Sequence, residues 1–184
     1  ASFVHPKWVP QLNDAEEVLS GVERKDEVDF LALVPNLHGW ERSIETEISE
    51  IGILTSASDA FCQKNLNTTI QGSLDRLKPL VNLAHNNHKR IRCYISCAIQ
   101  RPFSGSINSN VLCDLTKALL DLGIDDIDFG DTIGVAKPDD MLWLFDTLDD
   151  VLSPSEIILH LHNTNGKAID CAKIAIKTLF NRKP

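Results

Sequence analysis

The sequence predicts a (β/α)₈ barrel, an α/β fold present here as an incomplete central portion of about five βα units. Short apolar runs alternate with amphipathic segments, a pattern typical of parallel strands joined by helices. Polar residues gather where the apolar runs end, as they do at the functional ends of barrel strands. A dinucleotide-binding sheet is not favoured, because no glycine-rich phosphate loop follows the first strand. We therefore predict a single partial barrel domain over residues 1–184.

The predicted strands are apolar runs bounded by polar or turn-forming residues. They cover residues 31–36, 51–56, 91–98, 125–131 and 156–162. Connections between parallel strands of one sheet are right-handed, so we expect these runs to pair in chain order with the helices outside. About five strands cannot close an eight-stranded barrel, so the outermost runs should have free edges.

The predicted helices are the charged or amphipathic segments between these runs. They cover residues 39–50, 69–88, 108–123, 138–148 and 167–180. In the second, Pro79 predicts a kink or a break because proline has no N–H to donate. Asn108 or Ser109 can cap the third and Gly123 can end it. Pro138 stands at the favoured first position of the fourth.

Composition narrows the class of protein and its partners. Hydrophobic residues make up 43% and charged residues 24%, as in an ordinary globular protein. The net charge of −8 argues against nucleic acid or an anionic membrane surface as the main partner. The five cysteines are an odd number without close metal-type pairs, which predicts reduced thiols and an intracellular protein. Cys93 and Cys97, four residues apart on one predicted strand, are predicted to be buried thiols.

The strongest chemical signal is the sequence His160-Leu161-His162 at the end of the last predicted strand. Residues two apart on a strand face the same side, so the two imidazoles should lie together. Neutral imidazoles are good ligands for divalent transition metals. The pattern therefore predicts a metal site, with two histidines hydrogen-bonded inside a polar barrel as the alternative.

Asp131 ends the preceding strand and is the second candidate. A carboxylate in that place can bind substrate, support a ligand histidine or move a proton. The alternative is a loop aspartate that caps backbone N–H groups. Asp125, Asp126 and Asp128 are predicted to occupy a solvated turn and helix-facing positions, without a role.

Several segments together resemble the 3-hydroxy-3-methylglutaryl-CoA (HMG-CoA) lyase family. They are residues 2–11 (SFVHPKWVPQ), 35–39 (PNLHG), 94–98 (YISCA), 130–135 (GDTIGV) and 160–166 (HLHNTNG). Their order and spacing agree with the family throughout, and the resemblance covers nearly all of the chain. No single motif is decisive, but the series is specific.

The resemblance implies a barrel lyase that depends on a divalent metal, Mg²⁺ or Mn²⁺, and splits HMG-CoA into acetyl-CoA and acetoacetate. This is a reaction of leucine degradation and ketone-body formation. Carried over by motif, His160 and His162 are metal ligands and Asp131 is the catalytic carboxylate. The residues that match motifs near the substrate are the predicted substrate contacts: Ser2, Tyr94 and Thr132. The implied partners are an acyl-CoA and a second copy in a homodimer, in the bacterial cytoplasm or the mitochondrial matrix.

Departures from the family pattern keep two alternatives open. The family's arginine, metal-binding aspartate and glutamate belong before residue 1, and its reactive cysteine and metal-binding asparagine belong after residue 184. Residues 100–105 read QRPFSG where the family has GCPYEG, and Asn163 and Asn165 replace an aspartate and a tyrosine. The alternatives are a Claisen-type acyltransferase, such as isopropylmalate or homocitrate synthase, and a non-catalytic truncated barrel. The 184 residues alone are predicted to bind metal weakly and to show little lyase activity.

Overall fold

The centre of the molecule is a parallel sheet. A computed structural model describes residues 1–101 and 105–181. Over these residues the strands are β1 (Leu31–Leu33), β2 (Glu50–Ser56), β3 (Arg90–Ser96), β4 (Gln100–Arg101), β5 (Gly105–Ser106), β6 (Asp126–Asp131) and β7 (Ile157–Leu161). Five of them form one sheet in the order β1-β2-β3-β6-β7, and every pairing in it is parallel. The predicted strand order and direction are therefore confirmed.

The short strands β4 and β5 form a separate antiparallel hairpin after β3. This hairpin belongs to the segment at 100–105 that departs from the family pattern, and its residues 102–104 lie outside the described residues.

Along the chain, helices precede, separate and follow the strands of the main sheet. They are α1 (Ala15–Gly21), α2 (Leu37–Ser43), α3 (Asp59–Leu66), α4 (Ile70–Asn86), α5 (Ser109–Asp121), α6 (Pro138–Leu148) and α7 (Ala168–Asn181). The sequence did not predict α1 or α3, and α2 ends seven residues before the predicted bound at residue 50. Among the described helices, none combines the length and the apolar character needed to cross a bilayer.

Side chains cap the first turns of four helices and so fix where these helices begin. The capping oxygens belong to Asn36, Ser58, Thr69 and Asn108, each accepting from a backbone N–H two or three residues further on. A helix leaves its first N–H groups without internal partners, and such caps satisfy them.

Helix α4 runs without a break through Pro79. Proline inside a helix costs about 3 kcal/mol. The four large apolar side chains among the buried residues of α4 are Leu74, Leu77, Leu80 and Val81, and each contributes roughly 2 kcal/mol. The carbonyl that Pro79 leaves without a donor belongs to Asp75, an exposed residue that water can reach. The free energy gained by burying these side chains therefore outweighs the cost of the proline.

The two faces of the sheet differ in polarity. On the helix side, alternate residues such as Ile95, Ile127 and Phe129 join the main hydrophobic core with α4, α5 and α6. Cys93 and Cys97 are fully buried, as predicted, and burial raises the pKa of both thiols.

The other face of the sheet is the barrel interior, and its amino end is charged. Arg92 Nε lies 3.0 Å from Glu50 Oε1, and Arg92 Nη2 lies 3.4 Å from Asp126 Oδ2. Arg90 adds a second ion pair to Asp126 at 3.0 Å. These pairs neutralise charge at the amino end of the interior, and the cavity described below lies at the opposite end of the strands.

Candidate active site

His160 lies on the interior face of β7, and His162 follows the last residue of that strand on the same side. Their ring centroids are 4.9 Å apart, with 55° between the ring planes. Leu161 lies between them in sequence and packs on the opposite side of the sheet, near Met141 and Cys171. The alternation of a strand therefore brings the two imidazoles together, as the sequence predicts.

A backbone carbonyl holds one ring nitrogen of His162. Nδ1 of His162 lies 2.8 Å from the main-chain oxygen of Asp131, on the neighbouring strand β6. A carbonyl oxygen can only accept a hydrogen bond, so Nδ1 carries the proton. In the neutral ring, Nε2 then keeps its lone pair, which is the form of histidine that binds metals.

The side chain of Asp131 is directed away from the histidines. Its Oδ1 accepts from the backbone N–H of Val135 at 3.1 Å, and its Oδ2 accepts from that of Ala136 at 3.0 Å. The residue is buried and does not line the cavity. We expected its carboxylate at the histidine site, but the contact with His162 is made by its carbonyl. A catalytic role for Asp131 stays a prediction.

A cavity of about 400 Å³ opens beside the histidines at the carboxyl ends of the strands. Its polar walls are formed by Tyr94, Ser96, Asp128, Thr132, His160 and His162, and its apolar walls include Leu31, Leu33 and Leu54. This volume is within the range of small-molecule sites.

Two of the three predicted substrate contacts, Tyr94 and Thr132, line this cavity. The Thr132 hydroxyl accepts the backbone N–H of Cys97 at 2.7 Å, so it also supports the turn after β3. Ser2, the third, is buried beside β1 and accepts from the backbone N–H of Val4 at 3.4 Å. Ser2 does not line the cavity, although its neighbour Ala1 does.

Tyr94 forms the wall of the cavity between β2 and β7. Its ring meets the ring of His160 edge-on, with 6.1 Å between centroids. The ring lies across Gly52 on β2, where an added Cβ would come within 2.9 Å of Tyr94 Cε2. Burial raises the pKa of the Tyr94 hydroxyl, and the nearby carboxylate of Asp128 adds to this effect. The phenol is therefore kept as a neutral hydrogen-bonding group.

Asp128 is a cavity residue that the sequence analysis missed. The residue is 6% exposed, so its prediction as a solvated or helix-facing position is wrong. Its Oδ1 lies 3.7 Å from Nδ1 of His160. Burial raises the pKa of Asp128, while His160 and Arg92 act in the opposite direction. The sequence signal that would have found Asp128 is the alternation of side chains along β6. By this rule Asp128 lies on the interior face, as Thr132 does, and Ile127 lies on the opposite face.

The loops after β6 and β7 are joined above the cavity. Nδ2 of Asn165 donates to the carbonyl oxygen of Gly134 at 3.2 Å. Oδ1 of Asn163 accepts from the backbone N–H of Ala168, the first residue of α7, at 3.2 Å. The two asparagines that depart from the family motif therefore organise these loops.

Replacing Gly134 with alanine is expected to loosen this junction. Gly134 has a φ of +67°, and an added Cβ would lie 2.6 Å from Thr164 Cβ and 2.9 Å from Thr164 N. The left-handed backbone costs alanine about 1 kcal/mol, and the overlap brings the expected loss of unfolding free energy to about 3 kcal/mol. Urea unfolding measures the loss.

Gly166→Ala is the matched control for that variant. Gly166 has a φ of +70°, but an added Cβ meets nothing within 4 Å. We therefore expect a loss of only about 1 kcal/mol. Equal losses in the two variants would show that the contact with Thr164 contributes nothing.

The described residues could supply only part of a metal site. Over residues 1–101 and 105–181, no three side chains of His, Cys, Asp or Glu are grouped so that they could hold a metal ion. His160 and His162 line the cavity and could offer two ring nitrogens as ligands. A divalent ion bound there needs oxygen ligands in addition.

Comparisons with known proteins agree with the resemblance seen in the motifs. A hydroxymethylglutaryl-CoA lyase of Pseudomonas mevalonii is 36% identical over 168 residues, which are 91% of this chain and 56% of that protein. The structure of the HMG-CoA lyase from Brucella melitensis matches with a TM-score of 0.92 and 36% identity, over 96% of this chain and 62% of that one.

A third match is an HMG-CoA lyase from Acinetobacter baumannii, in complex with coenzyme A and 3-methylmalate. It has a TM-score of 0.89 and 29% identity, over 96% of this chain and 58% of that one. The chain thus spans about half the length of the curated relatives it matches, and the predicted partial barrel is confirmed. The HMGL-like family profile matches residues 8–181, and the chain belongs to the HMGL-like family.

Proposed function

We propose that the complete barrel to which this chain contributes cleaves HMG-CoA to acetyl-CoA and acetoacetate. The observation that carries the proposal is the pair His160 and His162, set at a cavity at the carboxyl ends of the barrel strands. Relatives matched over more than nine-tenths of the chain are named as lyases of this substrate. These relatives do not favour the alternative of a Claisen-type acyltransferase.

The two histidines would hold a divalent ion, Mg²⁺ or Mn²⁺, through the nitrogens that face the cavity. Such an ion, when bound, would polarise the hydroxyl and carboxylate oxygens of the substrate. The protein's part is to keep the His162 ring fixed through the Asp131 carbonyl. Oxygen donors from the substrate and from other parts of the barrel would complete the coordination.

The cavity walls suit the acyl part of an HMG-type thioester. Leu31, Leu33 and Leu54 form an apolar wall for methyl and methylene groups, and Tyr94 and Thr132 provide hydroxyls for oxygen atoms. The ligands in the Acinetobacter baumannii structure, coenzyme A and the hydroxy acid 3-methylmalate, correspond to the carrier and the hydroxy-acid part of such a thioester. Contacts of Ser2 and Asp131 with substrate, and a homodimer, remain part of the proposal.

The test is an assay of HMG-CoA cleavage by the product of the complete gene, with Mg²⁺ or Mn²⁺ and with a chelator. We expect acetyl-CoA and acetoacetate only when the metal is present. The 184-residue chain, assayed beside it, should be slower by several orders of magnitude because charged groups elsewhere in the barrel stabilise the transition state. A complete product that binds metal but leaves HMG-CoA intact would contradict the proposal and favour the non-catalytic alternative.

A further inference from the structure

Asp128 is a buried carboxylate with an unused oxygen. Its side chain is 8% exposed and stands on the interior face of β6. Its Oδ1 is inaccessible to solvent and accepts no hydrogen bond from the described part of the chain. Nearly all buried acceptors in folded proteins are paired, so this oxygen requires a partner.

The His160 ring is a donor close to this oxygen, with Nδ1 3.7 Å from Asp128 Oδ1. Arg92, the cation on the adjacent strand β3, already directs its donors to Glu50 and Asp126. A hydrogen bond to a carboxylate is about 2.8 Å long, so forming one requires the His160 ring to turn towards Asp128.

We infer that Asp128 is a positioning residue for His160. Its carboxylate accepts a hydrogen bond from Nδ1–H of the imidazole, so that the proton stays on Nδ1 and Nε2 is the nitrogen with a free lone pair. The use of that lone pair rests on the proposed function, in which His160 binds a metal. The tautomer itself can be tested without any metal.

The neighbouring histidine supports this inference. His162 has its Nδ1 fixed by the carbonyl of Asp131 at 2.8 Å, which leaves its Nε2 free. With Asp128 as the acceptor, His160 takes the same tautomer, so both rings present the same nitrogen. Metal-binding histidines commonly donate their second N–H to a carboxylate or a backbone carbonyl. Here the proposed acceptor for His160 is a carboxylate, and the acceptor for His162 is a backbone carbonyl.

Asp128 is placed to orient a ligand rather than to be one. Its oxygen faces Nδ1 of His160, and an ion bound at Nε2 would lie on the other side of the ring. Accordingly, Asp128 and the two histidines do not form a three-ligand group in the described structure.

The tautomer is measured by long-range ¹H–¹⁵N NMR of the metal-free chain at about pH 8, where imidazole is neutral. A H160Q variant assigns the resonance. In the wild type we expect His160 to carry its proton on Nδ1. In D128A, and to a smaller degree in the shape-conserving D128N, we expect the Nε2-protonated form to appear. The inference is overturned if His160 keeps the wild-type tautomer in both variants.

The matched control is D126N. It removes a carboxylate from the same face of β6, but Asp126 is bonded to Arg90 and Arg92 at the amino end of the interior. We expect the His160 tautomer to be unchanged. A tautomer shift in D126N as large as that in D128N would overturn the inference, because it would show a general effect of charge.

Binding of Mn²⁺ alone gives a second readout. Loss of such a supporting acceptor typically weakens metal binding about tenfold to hundredfold, and we expect this range for D128N, with D126N unchanged. If the tautomer shifts but the wild type binds no Mn²⁺ in the complete barrel, the positioning role stands and the proposed metal site fails. The two proposals are therefore separable.

Discussion

Replacing His162 with alanine is expected to weaken Mn²⁺ binding by the complete barrel more than about a hundredfold. That figure is the upper end of the cost of losing a residue that only supports a ligand, and His162 is the proposed ligand itself. Its ring is fixed by the 2.8 Å contact with the Asp131 carbonyl, so little reorganisation is needed on binding. HMG-CoA cleavage should fall at least as far. Mn²⁺ titration followed by electron paramagnetic resonance measures the affinity.

The control for this variant is His85→Ala. His85 is an exposed imidazole in the last turn of α4, at the opposite end of the barrel from the cavity. Its loss should change neither the Mn²⁺ affinity nor the rate of cleavage. If H162A retains the affinity of the wild type, the ion binds elsewhere and the assignment of His162 as a ligand is wrong.

Replacing Asp131 is expected to destabilise the fold as well as the site. Its two carboxylate oxygens each accept a backbone N–H from the loop between β6 and α6. A buried donor left without a partner costs about 2 kcal/mol. We therefore expect a loss of unfolding free energy of about 2 kcal/mol for Asp131→Asn, which keeps one acceptor, and about 4 kcal/mol for Asp131→Ala. Urea unfolding of the chain measures both.

Asp139→Asn is the control for Asp131→Asn, because it removes one carboxylate charge at an exposed position. Asp139 is exposed in the first turn of α6, so its loss should cost at most about 1 kcal/mol. An unfolding midpoint for Asp131→Asn equal to that of the wild type would mean that the carboxylate does not hold the loop. Its predicted catalytic role would then become the simpler explanation of a lyase defect.

The fold could be predicted from the sequence where the hydrophobic pattern is long and regular. The order and direction of the main strands follow from such runs, and α4 follows from its buried leucines. Helix α3 (Asp59–Leu66) could not be predicted in this way, because only Cys62 among its residues is buried. Likewise, Asn36, which belongs to the first predicted strand, lies three residues after the end of β1 and instead caps α2. Local hydrogen bonds set these boundaries, and the apolar pattern does not record them.

The site was predictable to the extent that strand alternation determines it. Alternation identified His160 and His162. The same rule, applied to β6, places Asp128 in the interior and Asp131 on the helix side with Ile127 and Phe129. The bond from His162 to a main-chain carbonyl depends on the register between β6 and β7. That register joins two strands that are far apart in the sequence, so no local sequence pattern predicts it.

Gly52 has a consequence for how this cavity could change during evolution. The Tyr94 ring occupies the space that a side chain at position 52 would need. A larger residue there would displace the Tyr94 ring, which meets the His160 ring edge-on, and so reshape the cavity while every polar group is retained. Substrate preference could therefore drift through a residue that carries no functional group, on a strand that supplies no histidine and no carboxylate to the cavity wall.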